Sequence, residues 1–486
     1  MAITWGLALA LGSGLGLGCG DDGQARETND TTTPTSGGTE GSATDSGATD
    51  PSADGTATDT AETSDTSQAQ RPNWHEDIAP FVAQSCRGCH TAGSVAPFPM
   101  DDYEQTWPLA AAMLLQIDAA AMPPWHAIET DECSPPNGFK HDPRLTPEQI
   151  EMMHAWVDLG MPEGDPANAV PVPEPPSTDL ADPTATDFMQ GSIDVQPEGP
   201  VLDFFHCLSL DPGNGEEVFV DGMQVIPGND AIAHHVLVYI DIDGASAAWP
   251  DGQRLDCGGG TGGISNVRLV GAWVPGSLPM EPPEGVGIRL PAGARILLNM
   301  HYHAAVTGPE TDGGTGIALR WTTTPPQYVS DFRLIGVPGV DGSLTTAPFF
   351  IPAGATDHVE EVEFSVPTVG GADVRIWSIL NHMHKVGVDM KVSVMRGGEE
   401  LCLVQTPAYD YNWQRIYEYD ADVGDTFRVQ AGDVVRVRCT YDNTLDNPSV
   451  VEALQEVGLD QPQDVQLGEG TLDEMCITGV GVAIGP

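Results

Sequence analysis

The chain has 486 residues, too many for a single hydrophobic core, so two to four domains are expected. Its 19 Lys and Arg stand against 71 Asp and Glu, a net charge of −52. Such a surface repels phosphate backbones and anionic headgroups, which excludes nucleic acid as a partner and leaves a membrane reachable only through a lipid anchor.

Residues 1–19 read as an export segment. Ile3 to Leu17 are apolar or small, and "LGLGCGDD" then sets Cys19 behind small residues. The stretch resembles the lipobox of bacterial lipoproteins, in which the cysteine is acylated and becomes the mature N-terminus. Two features depart from that pattern: no Lys or Arg precedes the apolar run, and Gly16 stands where lipoboxes carry Leu. A signal peptide cleaved elsewhere is the plainer alternative. The run is short for a membrane span. The expected location is the bacterial cell envelope, periplasm or outer surface, where cysteines can be oxidised. Residues 20–70 are Thr, Ser, Gly, Ala and Asp with almost no large apolar side chain, and read as a disordered tether.

Residues 71–165 form a small helical unit. "HEDIAPFVAQSC" opens it, and "LTPEQIEMMHAWVDLG" closes it with Thr146 as expected N-cap and Gly160 as the residue after the helix end. Between them "SCRGCH" is C-x-x-C-H. Cys86 and Cys89, one helical turn apart, suit addition to the two vinyls of a haem, and the neighbouring His90 suits the iron. A disulfide or half a zinc site is the bland reading. A soft second axial ligand is offered by Met122 in "AAAMPPWHA", with Met100, Met113 and His126 as competitors. The unit looks like a mono-haem cytochrome c, and a His/Met pair suits electron transfer.

A Pro-rich spacer covers residues 166–190. Beyond it, residues 191–330 and 331–486 alternate short apolar strands with Gly, Pro, Asp and Asn turns, the pattern of two antiparallel β-sandwiches. Three of these strands carry six of the 13 histidines: "AIAHHVLVY" with His234 and His235, "NMHYH" with His301 and His303, and "NHMH" with His382 and His384. Residues i and i+2 of a strand share a face, so H-x-H can offer two imidazoles to one ion. Adjacent His234 and His235 can do so only at a bulge or a strand end. Three unrelated, hydrogen-bonded pairs would be the reading without a metal.

"AHHVLVY", a W-x-x-G segment from Trp273 to Gly276, "LNMHYH", "HMHKVG" and a C-terminal "DEMC" resemble in their set and spacing the copper type II monooxygenases, the peptidylglycine α-hydroxylating and dopamine β-monooxygenases. The resemblance runs from about residue 191 to 486. It implies a mostly β architecture of two jelly-roll-like sandwiches, each with one copper, behind the helical cytochrome c domain. It implies that His234, His235 and His301 hold an electron-storing copper. His382, His384 and Met475 would hold the copper that meets dioxygen, with His303 outside both sets. It further implies the disulfides Cys439–Cys476 and Cys207–Cys257, leaving the pairing of Cys133 and Cys402 open.

Departures from the family bear on substrate. Leu380 stands where peptide-amidating members place a carboxylate-binding Arg, and Ile477 and Gly479 replace their Asn and Tyr. The implied activity is C–H hydroxylation of a small organic substrate with dioxygen and an electron donor: ascorbate, another external reductant, or the fused c-type haem. Two rivals remain at this point: a surface electron-transfer or copper-binding protein without monooxygenase activity, and a degenerate scaffold.

Overall fold

The computed structural model describes residues 71–486 apart from 93–95, 97, 198–201, 306–307, 338–340, 346, 368–369, 469 and 471. The expectations for the leader, Cys19 and the 20–70 tether lie outside the described residues. Among those described, no helix is long and apolar enough to cross a membrane.

The helical unit has the expected ends. Thr146 and Gln149 form a reciprocal capping box before helix Pro147–Asp158, and Gly160 takes φ +77° just past it, a conformation open to glycine. Helices Ala79–Ser85, Ala110–Asp118 and Pro147–Asp158 bury Trp74, Ile78, Phe81, Met113, Met153 and Trp156 in a small core of their own. Met100 and Met113, competitors for the haem iron, are buried in this core.

The stretch between the second and third of these helices belongs elsewhere. Trp125 and Ala127 pack in the core of the C-terminal sandwich, and Phe139 bridges to Tyr419 of that half. Cys133 is disulfide-bonded to Cys402 on strand Glu399–Thr406, which closes the pairing left open by the sequence. Residues 125–141 thus form a strap fastening the helical unit to the second half. The strap carries no hydrophobic period that would set it apart from the helices in sequence.

Three large sheets and two two-stranded ones make the rest. A five-stranded sheet has Arg295–His303 at its centre, flanked by Asp203–Leu210 and Ala233–Asp241. Ile296, Leu298, Met300 and Tyr302 alternate into the first core, which turns His301 and His303 to the opposite face. A second five-stranded sheet, with Val434–Tyr441 at its centre, covers the other half. The third sheet has nine strands and backs both. Its two halves meet where Tyr328–Ser330 pairs in parallel with Val286–Ile288. The resemblance implied two sandwiches; the structure has two, sharing one continuous layer. Strand Tyr328–Ile335 spans the boundary expected at residue 330.

Candidate metal centre

His234 sits where the pairing of Ala233–Asp241 with the central strand slips: Ala233 faces Tyr302, His235 faces His301, and His234 is the extra residue. This is the bulge that adjacent histidines need to turn to one side. The Nδ1 atoms of His234 and His235 lie 3.1 Å apart, and those of His235 and His301 lie 3.3 Å apart. His301 donates its Nε2–H to Asp203 Oδ1 at 2.9 Å, so its Nδ1 carries the lone pair. Three nitrogens at such distances repel one another unless something positive lies between them. Metal–nitrogen bonds of about 2 Å place neighbouring ligand nitrogens at about 3.3 Å in a tetrahedral site, so the donor set fits an ion. Burial, then the neighbouring imidazoles, hold His234 and His235 well below the ordinary histidine range, which keeps them neutral. His303 is outside the cluster: its Nδ1 bonds the same Asp203 Oδ1 at 3.1 Å, and this hydrogen bond raises its pKa.

His382 ends strand Asp373–His382, and His384 lies two residues on, with ring centroids 5.2 Å apart. Each donates Nδ1–H to an oxygen, His382 to Gln414 Oε1 at 2.5 Å and His384 to the Asp473 carbonyl at 3.0 Å. Both therefore present Nε2, a fixed orientation of the kind metal-bound histidines show. Burial pushes His384 down to about 3 and His382 in the same direction.

Met475 directly precedes the disulfide-bonded Cys476 and the strand Ile477–Gly485, whose Ile477 pairs with His382. Tyr441 donates its hydroxyl to the Met475 carbonyl at 2.8 Å. Between His384 and Met475 lies Glu474, fully buried, accepting backbone N–H bonds from His384, Val386 and Met475. Burial outweighs those donors and lifts its carboxyl to about 8.

The two histidine sets face each other. His235 and His382 have ring centroids 6.1 Å apart. Tyr411 stacks on His234 at 4.7 Å and meets His384 edge-on at 5.9 Å, with Lys385 Nζ 5.1 Å from its ring.

Residues 357–480 match the family model of the copper type II ascorbate-dependent monooxygenase, C-terminal domain. That stretch holds His382, His384, Met475 and the Cys439–Cys476 bond, and it supports oxidoreductase chemistry with copper and ascorbate. Among solved structures, the major capsid protein P2 from Bacteriophage PM2 is 11% identical, covering 62% of this chain and 97% of its own, at a TM-score of 0.27. Allantoicase is 10% identical over 52% of this chain and 80% of its own, at a TM-score of 0.14. Likenesses of that size carry no argument here. Cys207–Cys257 and Cys439–Cys476, implied by the resemblance, are both formed.

Cys86 and Cys89 stay as thiols, whereas the six other described cysteines are paired. They span one helical turn, with Cys89 N and His90 N both bonded to the Cys86 carbonyl. Burial raises both thiols, Cys86 to about 12. His90 donates Nδ1–H to the Phe98 carbonyl at 3.1 Å, leaving Nε2 as the lone-pair nitrogen. Two unpaired thiols beside an oriented imidazole fit a covalently held haem. Met122 lies half-buried three residues before the strap, its N–H bonded to the Gln116 carbonyl. His126, another competitor, is turned to the Ala408 carbonyl of the second half.

Asp203, Tyr411, Gln414 and the role of Glu474 escaped the sequence reading. Asp203 shows itself only once its strand is known to pair with "NMHYH". Glu474 lay inside the quoted "DEMC". Tyr411 and Gln414 lie in "YDYNWQR", a loop with no periodicity to mark it.

Proposed function

We propose that the chain is an exported dicopper monooxygenase, an oxidoreductase that uses paired donors and inserts one oxygen atom into a C–H bond of a small organic substrate. The convergence of three Nδ1 atoms opposite two oriented Nε2 atoms carries this reading. Copper, when bound, supplies one-electron redox chemistry and activates dioxygen. His234, His235 and His301 hold the electron-storing ion, the first two kept neutral by burial and the third oriented through Asp203. His382 and His384, with the Met475 thioether, hold the ion that meets dioxygen; a thioether favours the reduced ion and is a weak enough ligand to leave room. Gln414 and the Asp473 carbonyl fix the two imidazoles so that their lone pairs need no reorientation during turnover.

Each turnover consumes two electrons and two protons, yielding hydroxylated product and water. Ascorbate or another external reductant supplies the electrons, with Cys86, Cys89, His90 and Met122 holding a c-type haem as a one-electron carrier. The substrate lacks a carboxylate at its bound end. Leu380 is 6% exposed and pairs across the sheet with Gly479, whose position is closed in by the Phe332 ring and Leu380. An apolar side chain thus stands where peptide-amidating relatives place a carboxylate-binding Arg. The apolar leader and Cys19 support a lipid-anchored chain in the cell envelope.

Metal and haem analysis of the purified protein, with electron paramagnetic resonance of the cupric form, tests this. Two coppers and one covalent haem are expected. Met475→Ile should retain haem redox and lose hydroxylation by two orders of magnitude or more. Unchanged hydroxylation in that variant would remove Met475 from the site, and no hydroxylation by the copper-loaded parent protein would return the chain to the electron-transfer reading.

A further inference from the structure

The loop between strands Glu399–Thr406 and Ile416–Glu418 touches both histidine sets. Tyr409 grips the residue between His382 and His384: its hydroxyl donates to the Met383 carbonyl at 2.7 Å and accepts the Met383 N–H at 3.0 Å. Tyr411 lies against His234 and His384. Gln414 accepts the Nδ1–H of His382 and donates its own amide to the Tyr411 carbonyl at 3.1 Å. The regular structure of this loop is one short turn, Tyr411–Trp413, so its place depends on what it rests on. It rests on the strap. His126 donates Nδ1–H to the Ala408 carbonyl at the start of the loop. At its end the Arg415 guanidinium covers the Trp125 ring at 5.2 Å, and Trp125 meets Tyr417 edge-on at 5.1 Å. The Ile128 N–H bonds the Gln405 carbonyl at 3.2 Å and carries the contact back onto the strand. Trp125 is buried, and only Pro123 and Pro124 separate it from Met122. Two neighbouring strap residues therefore pin both ends of the loop whose Gln414 supports His382.

We propose that Trp125 and His126 are positioning residues for His382, acting through Gln414. The strap sets where the Gln414 amide oxygen stands, and so which way the Nε2 lone pair of His382 points. This rests on the copper reading given above for His382, His384 and Met475. A hydrogen bond orients a ligating imidazole only while its acceptor stays in line with the ring N–H. Without the Trp125 ring, Arg415 loses the aromatic face it lies on, and the end of the loop next to Gln414 is freed. Without His126, the start of the loop loses the hydrogen bond that ties Ala408. The chain that leaves the helical unit after Met122 is in this way part of the surroundings of the second metal set.

Cupric ion is titrated into the full-length protein and into Trp125→Leu, Trp125→Phe, Gln414→Ala and Trp125→Leu/Gln414→Ala. Chelator competition reads affinity, and paramagnetic resonance reads the ligand geometry of each ion. Trp125→Leu keeps an apolar side chain but no ring. It should weaken the ion at His382 and His384 by about tenfold and move its resonance to that of Gln414→Ala. Trp125→Phe keeps a ring under Arg415 and should hold most of both parent values. The double variant should bind within about threefold of Gln414→Ala alone, because the two changes break one support. Parent-like affinity and resonance in Trp125→Leu overturn the proposal, and so do losses that multiply in the double variant. A merely structural Trp125 would lower the unfolding temperature and leave affinity and resonance at the parent values. Copper retained at His234, His235 and His301 marks a folded variant; if Trp125→Leu lacks it, His126→Leu decides by the same affinity and resonance. A parent protein that binds no copper at His382 and His384 sinks the copper reading and this role with it. Copper bound there in the parent, with insensitive variants, sinks this role alone.

Discussion

Asp203 decides which nitrogen of His301 faces the pocket, and the same oxygen holds His303. Removing it frees both rings to rotate and to change tautomer. On the proposed dicopper reading, Asp203→Ala should weaken copper at the His234/His235/His301 set by about tenfold to a hundredfold, the usual effect of losing such a support. Chelator competition, with paramagnetic resonance distinguishing the two ions, measures this; the His382/His384 ion should be unmoved. At this scale the sequence was informative where residues are chemically rare. C-x-x-C-H, H-H and H-x-H announce themselves, and His234, His235 and His301 do converge, facing His382 and His384, while His303 stands outside. Their supports do not, because Asp203 and Gln414 become partners only through strand pairing between distant segments. Leu380 and Gly479 were each noticed separately as departures. That they are cross-strand neighbours was invisible.

Elements with strong local signals were read well. The helix Pro147–Asp158 starts and stops where its capping residues said it would, and the adjacent histidines did require the bulge found at His234. The strap was misread because its hold is covalent and long-range: Cys133 and Cys402 are 269 residues apart, and neither flanks a motif. Breaking that bond should cost about 2–5 kcal/mol. For Cys133→Ala/Cys402→Ala, thermal unfolding should start several degrees lower. Because Trp125 and Phe139 still pack in the second core, the helical unit should stay fastened in the folded state. A double variant that unfolds at the parent temperature would show that apolar packing alone fastens the strap.

On the scale of the molecule, composition and strand spacing gave a mostly β chain with two sandwiches behind a helical unit, and that is its architecture. The shared nine-stranded layer could not be foreseen, since parallel pairing between residues 286–288 and 328–330 leaves no periodic trace. It also has a practical consequence for anyone dividing the gene. A fragment beginning near residue 331 cuts strand Tyr328–Ile335 and discards the neighbour that pairs with its start, baring backbone donors and acceptors along a sheet edge. Such a fragment should sediment as aggregate, whereas one beginning near residue 71, which keeps both that pairing and the strap, should stay in the supernatant. The stretch that matches the family's C-terminal domain, recognisable by itself in sequence, shares its large sheet with the first half of the chain.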